Sequence, residues 1–363
     1  MKNTLIIITA ILILNSCKDN GTQPPVNNYK HPRDMTWTAD TLNTDDPNQL
    51  QIIPQNLLAF SPNDAWLCCW ADGPLGQMWH YDGNEWKVNN ILKDVTGKPA
   101  DIVGFSSRYF WTGGYIGDYV FIAQYNGNNW IDIFPGFYTV DQDEWLKGDI
   151  LDMSTDEDRN VWACGRNGLV MKYDNNTWAV DTINVGYKKN HPDAEYLLRS
   201  ITYYNNQVHV LGGIYHSSLQ RYINYHFKGY MNNWELLDSM IIDSPSSIIK
   251  WGYLGLYETT NKLFSYGSLG IWEYQNSNWA KIYDYNGEIY EIYGQSNQYL
   301  LAVSAFRTVL FYGGNNWERI DELLNVDDPH FSFRNVWTNG NEIIIAGDGF
   351  INGVQKTIVW HGK

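Results

Sequence analysis

Charged residues recur at matching places inside short apolar segments of this chain. Asp152 follows Ile150-Leu151, Arg199 follows Leu197-Leu198, Glu291 follows Ile289-Tyr290 and Arg334 follows Phe333. The same alignment places Ala59 and Gly104 at the equivalent position, with Lys250 as a looser member. A charge repeated between apolar neighbours has to face something wet. Two arginines there would hold an anion, and a carboxyl beside them would serve as acid or base. The competing reading, which we favour, is a network that neutralises itself, because buried charges persist when paired. A second set, Trp70, Tyr115, Arg166, Tyr215, His216 and Arg307, falls in turns or joins, together with Asp72, Phe306 and Asp348. These are binding candidates rather than catalytic ones. Asp156, Asp158 and Asn160 mimic the start of a calcium loop but lack its glycine and closing glutamate, so no metal is expected. No nucleophile elbow, phosphate loop or zinc spacing is present, and no cofactor is expected.

What must position these residues is a repeat. A polar turn followed by tryptophan appears as Tyr81-Asp82-Gly83-Asn84-Glu85-Trp86, Tyr125-Asn126-Gly127-Asn128-Asn129-Trp130 and Tyr173-Asp174-Asn175-Asn176-Thr177-Trp178, and again before Trp234, Trp279 and Trp317. Units of roughly 40–50 residues with several short strands have the period of a β-propeller blade. One unit shows four strands plainly: 150–153, 161–165, 169–173 and 178–180. The wealth of tyrosine, tryptophan and phenylalanine suits half-buried pleated surfaces. The final unit stops at Val359-Trp360-His361-Gly362-Lys363, and its missing strand is found in 35–42, around Trp37. The expectation is an all-β, seven-bladed propeller closed by an N-terminal strand that completes the C-terminal blade. On this register the second set of candidates shares one face with the longer joins 131–149 and 181–197.

The [Asp/Asn]-Gly-x-x-Trp turn resembles the Asp-box of sialidase-like propellers, and the unit resembles secreted bacterial propeller repeats of unassigned role. That resemblance implies the fold and no reaction: sialidase-like catalysis would need an arginine cluster with a Tyr/Glu pair, and no such motif surrounds the arginines here. At the N-terminus, Lys2 and the aliphatic run Leu5 to Leu14 end at Asn15-Ser16-Cys17, a run shorter than the roughly 20 residues of a membrane span. Leu14-Asn15-Ser16-Cys17 resembles the lipobox of bacterial lipoproteins, which implies lipid (palmitate among its chains) on Cys17. The expected organisation is a signal peptide over 1–16, a flexible tether over 17–33 and the propeller over 34–363. Lys18 after the cysteine favours an outer-membrane lipoprotein facing the periplasm or the cell surface.

With 40 acidic against 25 basic residues, the chain carries a net charge of −15 and is a poor partner for nucleic acid. Cys68, Cys69 and Cys164 read as buried free thiols, not as a disulfide framework. The functional expectation is a monomeric, lipid-anchored and non-enzymatic binding module for a glycan or an envelope protein. The alternatives are a glycoside hydrolase or lyase with carboxylates near the channel mouth, and an envelope assembly scaffold.

Overall fold

The computed structural model describes residues 29–43, 51–72, 76–89, 97–132, 146–174, 176–185, 194–351 and 353–363. The expected signal peptide, Cys17 and the tether up to residue 28 lie outside the described residues, as do 133–145 and 186–193 of the two long joins.

The described strands are antiparallel meanders around an axis. β2 (Ile52–Ser61), β3 (Asp64–Ala71), β4 (Gln77–Tyr81) and β5 (Trp86–Val88) form one sheet. β6 (Lys98–Ser106), β7 (Tyr109–Ile116), β8 (Tyr119–Tyr125) and β9 (Trp130–Asp132) form the next. β10 (Ile150–Thr155), β11 (Val161–Gly165), β12 (Leu169–Asp174) and β13 (Thr177–Thr182) follow, close to the strands read from that unit. β14 (Ala194–Tyr204), β15 (Gln207–His216), β16 (Arg221–Tyr230) and β17 (Asn233–Ile242) make a fourth sheet with longer strands.

The next sheet has six strands: β18 (Gly255–Thr259), β19 (Lys262–Gln275), β20 (Asn278–Ser296), β21 (Tyr299–Ser304), β22 (Thr308–Tyr312) and β23 (Trp317–Arg319). The last joins β24 (Ser332–Thr338), β25 (Ile343–Ile351) and β26 (Val354–Gly362) to the N-terminal β1 (Trp37–Leu42). Counted by sheets the propeller therefore has six blades, which corrects the expectation of seven. The cause is local. β20 runs 19 residues without a break, from the tryptophan strand of one repeat to the innermost strand of the next. Its first part pairs with β19 and its last part with β21, so the repeats ending at Trp279 and Trp317 share a sheet. Between Trp279 and Gly294 there is no proline and only one glycine, Gly287, to interrupt it.

The closure is as expected. β1 pairs with β26 over six residues, with Trp37 opposite Gly362 and Ala39 opposite Trp360. Leu42, Ile52, Leu67 and Trp79 pack with Ile344, Ala346 and Val359, a single apolar cluster across the seam. Residues 29–33, assigned to the tether by sequence, are docked: Tyr29 meets the Tyr299 ring at 5.0 Å and Lys30 N donates to Gly340 O at 2.8 Å.

The tryptophan turns are held by their first residue. Asp82 Oδ1 accepts the amides of Asn84 and Glu85, and Asn126 Oδ1 those of Asn128 and Asn129. Gly127 has φ of 93°, and a Cβ there would lie 2.8 Å from Arg108 Cβ, so this turn requires glycine on both counts. The tryptophans then reach the preceding blade. Trp86 Nε1 donates to His361 Nε2 at 3.1 Å, Trp234 Nε1 to Asp181 Oδ2 at 2.8 Å and Trp279 Nε1 to His226 Nδ1 at 3.2 Å. Cys68, Cys69 and Cys164 are buried free thiols whose pKa values burial pushes well above the ordinary range.

Candidate functional site

The innermost strands enclose an axial cavity of about 210 Å³. Their register shows how it is lined. β2, β6, β10, β14, β20 and β24 each carry one extra residue against their neighbour, at Gln55, Ala100, Leu151, Arg199, Tyr290 and Arg334. The next residue in each strand turns to the cavity wall: Asn56, Asp101, Asp152, Ser200, Glu291 and Asn335, with Gly255 completing the set from β18. Each of these is followed by a buried aliphatic or methionine side chain, Leu57, Ile102, Met153, Ile201, Ile292, Val336 and Leu256, which anchors the strand in the core.

These polar side chains clasp neighbouring strands. Asp101 Oδ2 accepts Met153 N, Asp152 Oδ2 accepts Ile201 N at 2.7 Å, and Ser200 Oγ accepts Leu256 N at 2.9 Å. Glu291 Oε2 accepts Val336 N at 2.8 Å, and Asn335 Nδ2 donates to Gln55 O at 3.0 Å. In four of these contacts a side chain of one inner strand accepts a backbone amide of the next, and in the fifth Asn335 donates to a backbone carbonyl.

Their electrostatics follow from burial. Desolvation raises the Glu291 carboxyl to about 8 and that of Asp152 to about 6. Asp101 stands well above the usual carboxylate range, first through desolvation and then through the charge of Asp152, to which it is hydrogen-bonded.

The sequence-derived candidates separate on this geometry. Asp152, Arg199, Glu291 and Arg334 all border the cavity, but they do not pair with one another. Arg334 Nε instead donates to Asp348 Oδ1 at 2.8 Å and its guanidinium lies 4.8 Å from the Tyr290 ring centre. Lys250 is not among the lining residues; its Nζ bonds Asp238 Oδ1 at 2.7 Å in the join before β18. The sequence alignment places Ala59 and Gly104 with Asp152, but they lie three residues past the true counterparts, Asn56 and Asp101. Ser200 and Asn335 are missed because Arg199 and Arg334 occupy the extra residue one position before them. The signal was present as a polar residue directly before a core side chain: Asn56-Leu57, Asp101-Ile102, Ser200-Ile201, Asn335-Val336.

The loop candidates share one face. Arg166, in the β11–β12 turn, bonds Asp149 Oδ2 at 3.0 Å and also Glu195, tying the starts of β10 and β14 together. The Lys98 ammonium lies 4.8 Å over the Trp70 ring, and Tyr115 is paired opposite Lys98. Tyr215 stacks on Tyr222 with ring centres 4.4 Å apart. Arg307 Nη1 donates to Asp327 O at 3.3 Å. His216 is fully buried and presents nothing to solvent. Around these, apolar side chains stand in water: Ile248 is 79% exposed, Phe306 61%, and Leu219 and Phe350 57% each. Sequence reasoning missed Ile248, Leu219 and Phe350, because exposure in a turn leaves no periodic mark. Among the described residues no group of three or more His, Cys, Asp and Glu side chains could hold a metal ion.

No protein-family model matches the chain, and no characterised protein sequence matches it significantly. Solved structures do match in fold. A structure described as YCF48 bound to D1 peptide superposes with a TM-score of 0.56 at 12% identity, covering 90% of this chain and 94% of that one. YCF48 from Cyanidioschyzon merolae gives 0.56 at 11% identity, covering 89% and 98%. A structure of U3-55K reaches 0.40 at 8% identity, covering 86% and 77%. The protein is thus a β-propeller similar in architecture to YCF48.

Proposed function

We propose that this propeller is a non-enzymatic binding module that docks a protein partner on its loop face and is carried at the cell envelope by lipid on Cys17. The observation that carries the docking reading is the group of apolar side chains exposed there, Ile248, Phe306, Leu219 and Phe350, on a rim otherwise tied down by ion pairs. Aliphatic and phenyl knobs of this kind fit pockets on a protein. Sugars call for open flat aromatic faces, and Trp70 is already covered by Lys98. The architecture shared with a propeller whose structure holds a bound peptide is in keeping with this reading. Hydrolysis is disfavoured by the carboxyls themselves. Asp101, Asp152 and Glu291 are each committed to a backbone amide of the neighbouring strand.

The docking claim is tested by placing a photo-crosslinking residue at Phe306 or Phe350 in cells, with Val180 on β13 and Leu236 on β17 as exposed controls on outermost strands. The expected result is a discrete adduct from each loop-face position, that from Phe350 being abolished by Phe306→Asp. Equal adducts from Val180 and Leu236 would overturn the assignment. The anchor rests on the lipobox-like Leu14-Asn15-Ser16-Cys17, and palmitate labelling that survives in Cys17→Ala removes it.

A further inference from the structure

The axial cavity contains polar groups that the scaffold leaves unused. Asp101, Asp152 and Glu291 are committed to neighbouring backbone amides, and Arg334 to Asp348. Arg199 differs. Arg199 lines the same cavity, and its guanidinium has no hydrogen bond or ion pair among the described residues. The Tyr266 hydroxyl likewise has no partner there. Its ring occupies the room left by Gly255, where a Cβ would come within 2.3 Å of the Tyr266 oxygen. Asn335, 4% exposed, spends its amide nitrogen on Gln55 O while its Oδ1 accepts nothing.

Asn335 Oδ1 is buried without a partner, which costs about 1–3 kcal/mol unless water or ligand meets it, while Arg199 and Tyr266 are half-buried and free to meet either. The cavity has room for about seven waters at bulk density. Water can serve a hydroxyl and an amide oxygen. It does not neutralise a guanidinium whose nearby carboxyls all face backbone amides. An arginine with a free fork is matched in shape and charge by a carboxylate, which it grips through two parallel hydrogen bonds. The volume, below the roughly 300–1,000 Å³ of sites for drug-sized molecules, suits a small ligand or one small end group.

We propose that the axial cavity binds a small hydroxylated carboxylate of sugar-acid size, its carboxylate held by Arg199 and its hydroxyls by Tyr266 and Asn335. This site is independent of partner docking on the rim, because none of these three side chains is among the exposed apolar group.

Calorimetric titration of the full chain with glucuronate, gluconate, glucose and acetate tests it. Glucuronate or gluconate should saturate one site with a dissociation constant below about 1 mM, and glucose and acetate should bind at least about tenfold more weakly. Arg199→Gln should weaken the acid at least about tenfold and Tyr266→Phe by about two- to tenfold, with thermal melts confirming that each variant is folded. If Arg199→Gln does not fold, Tyr266→Phe decides the matter alone. The proposal is overturned if neither acid saturates by about 10 mM, if glucose binds as well as the acids, or if the folded variants bind as the parent does. Loop-face crosslinking at Phe306 is expected to be unchanged in Arg199→Gln, so the failure of either reading is visible without the other.

Discussion

Replacing Glu291 by glutamine should make the protein more resistant to alkali. Glu291 accepts Val336 N at 2.8 Å, a bond that a glutamine carbonyl can keep, while burial holds the Glu291 pKa at about 8 against 4.5 for the free side chain. A carboxyl with a raised folded pKa binds its proton more tightly in the native state. Its contribution to stability is therefore fully present below 4.5, falls as pH rises through 8, and is then constant. Linkage gives a loss of about 1 kcal/mol at pH 5, about 3 at pH 7 and about 5 at pH 9. Glutamine has no such loss. Unfolding entropy of roughly 2 cal/mol/K per residue over a domain this size makes each kcal/mol worth about 1.5 °C. Glu291→Gln should thus gain about 6 °C in melting temperature, relative to the parent, between pH 5 and pH 9. Solvent in the cavity reaches the carboxyl and reduces this gain, to no less than about half. The assay is thermal unfolding of both proteins across that range by circular dichroism. A difference in melting temperature that stays constant with pH refutes the burial argument, whatever its sign.

Burial should also keep His209 and His361 neutral, each with a pKa of about 4, so their imidazole C2 protons should show no titration near pH 6.5 in NMR spectra. Since these values are depressed, the unfolded chain gains protons first, and the stability the two histidines support is present above 6.5 and lost as pH falls toward 4. The inter-blade tryptophans should separate by their hydrogen bonds. Trp279→Phe, which strands His226 Nδ1, should cost about 1–2 kcal/mol more in urea unfolding than Trp130→Phe, whose Nε1 has no partner to lose. Equal costs would show that these tryptophans act by packing alone. Deleting residues 35–42 should expose the edge of β26 and yield soluble aggregates by size-exclusion chromatography; a monodisperse monomer of unchanged melting temperature would refute closure by β1.

The repeat was legible because every turn is written alike: a short polar run with a left-handed residue, Gly83, Gly127, Asn176, Asn232, Ser277 or Gly314, two or three positions before the tryptophan. Closure was legible because the last unit lacked a strand that Trp37 could supply. The sheet count was not, since whether β20 breaks near Gly287 depends on which neighbour each half of it finds. The cavity lining was half legible. Arg199 and Glu291 both border it, yet they belong to adjacent positions of the inner strand, and a single inserted residue per strand is invisible to an alignment by charge. Pairing partners were the least legible part. Arg334 reaches Asp348 on the next strand of its own sheet, a contact set by backbone register that composition does not encode.

The docking of Lys30 onto Gly340 fixes how the whole disc is presented. Gly340 lies in the turn that ends β24, at the opposite end of that strand from Arg334 and the loop face. Tyr29 and Lys30 thus lie on the underside. Phe306, in the β21–β22 turn, belongs to the opposite face, so the first described residues and the exposed apolar side chains stand on opposite sides of the disc and neither can crowd the other.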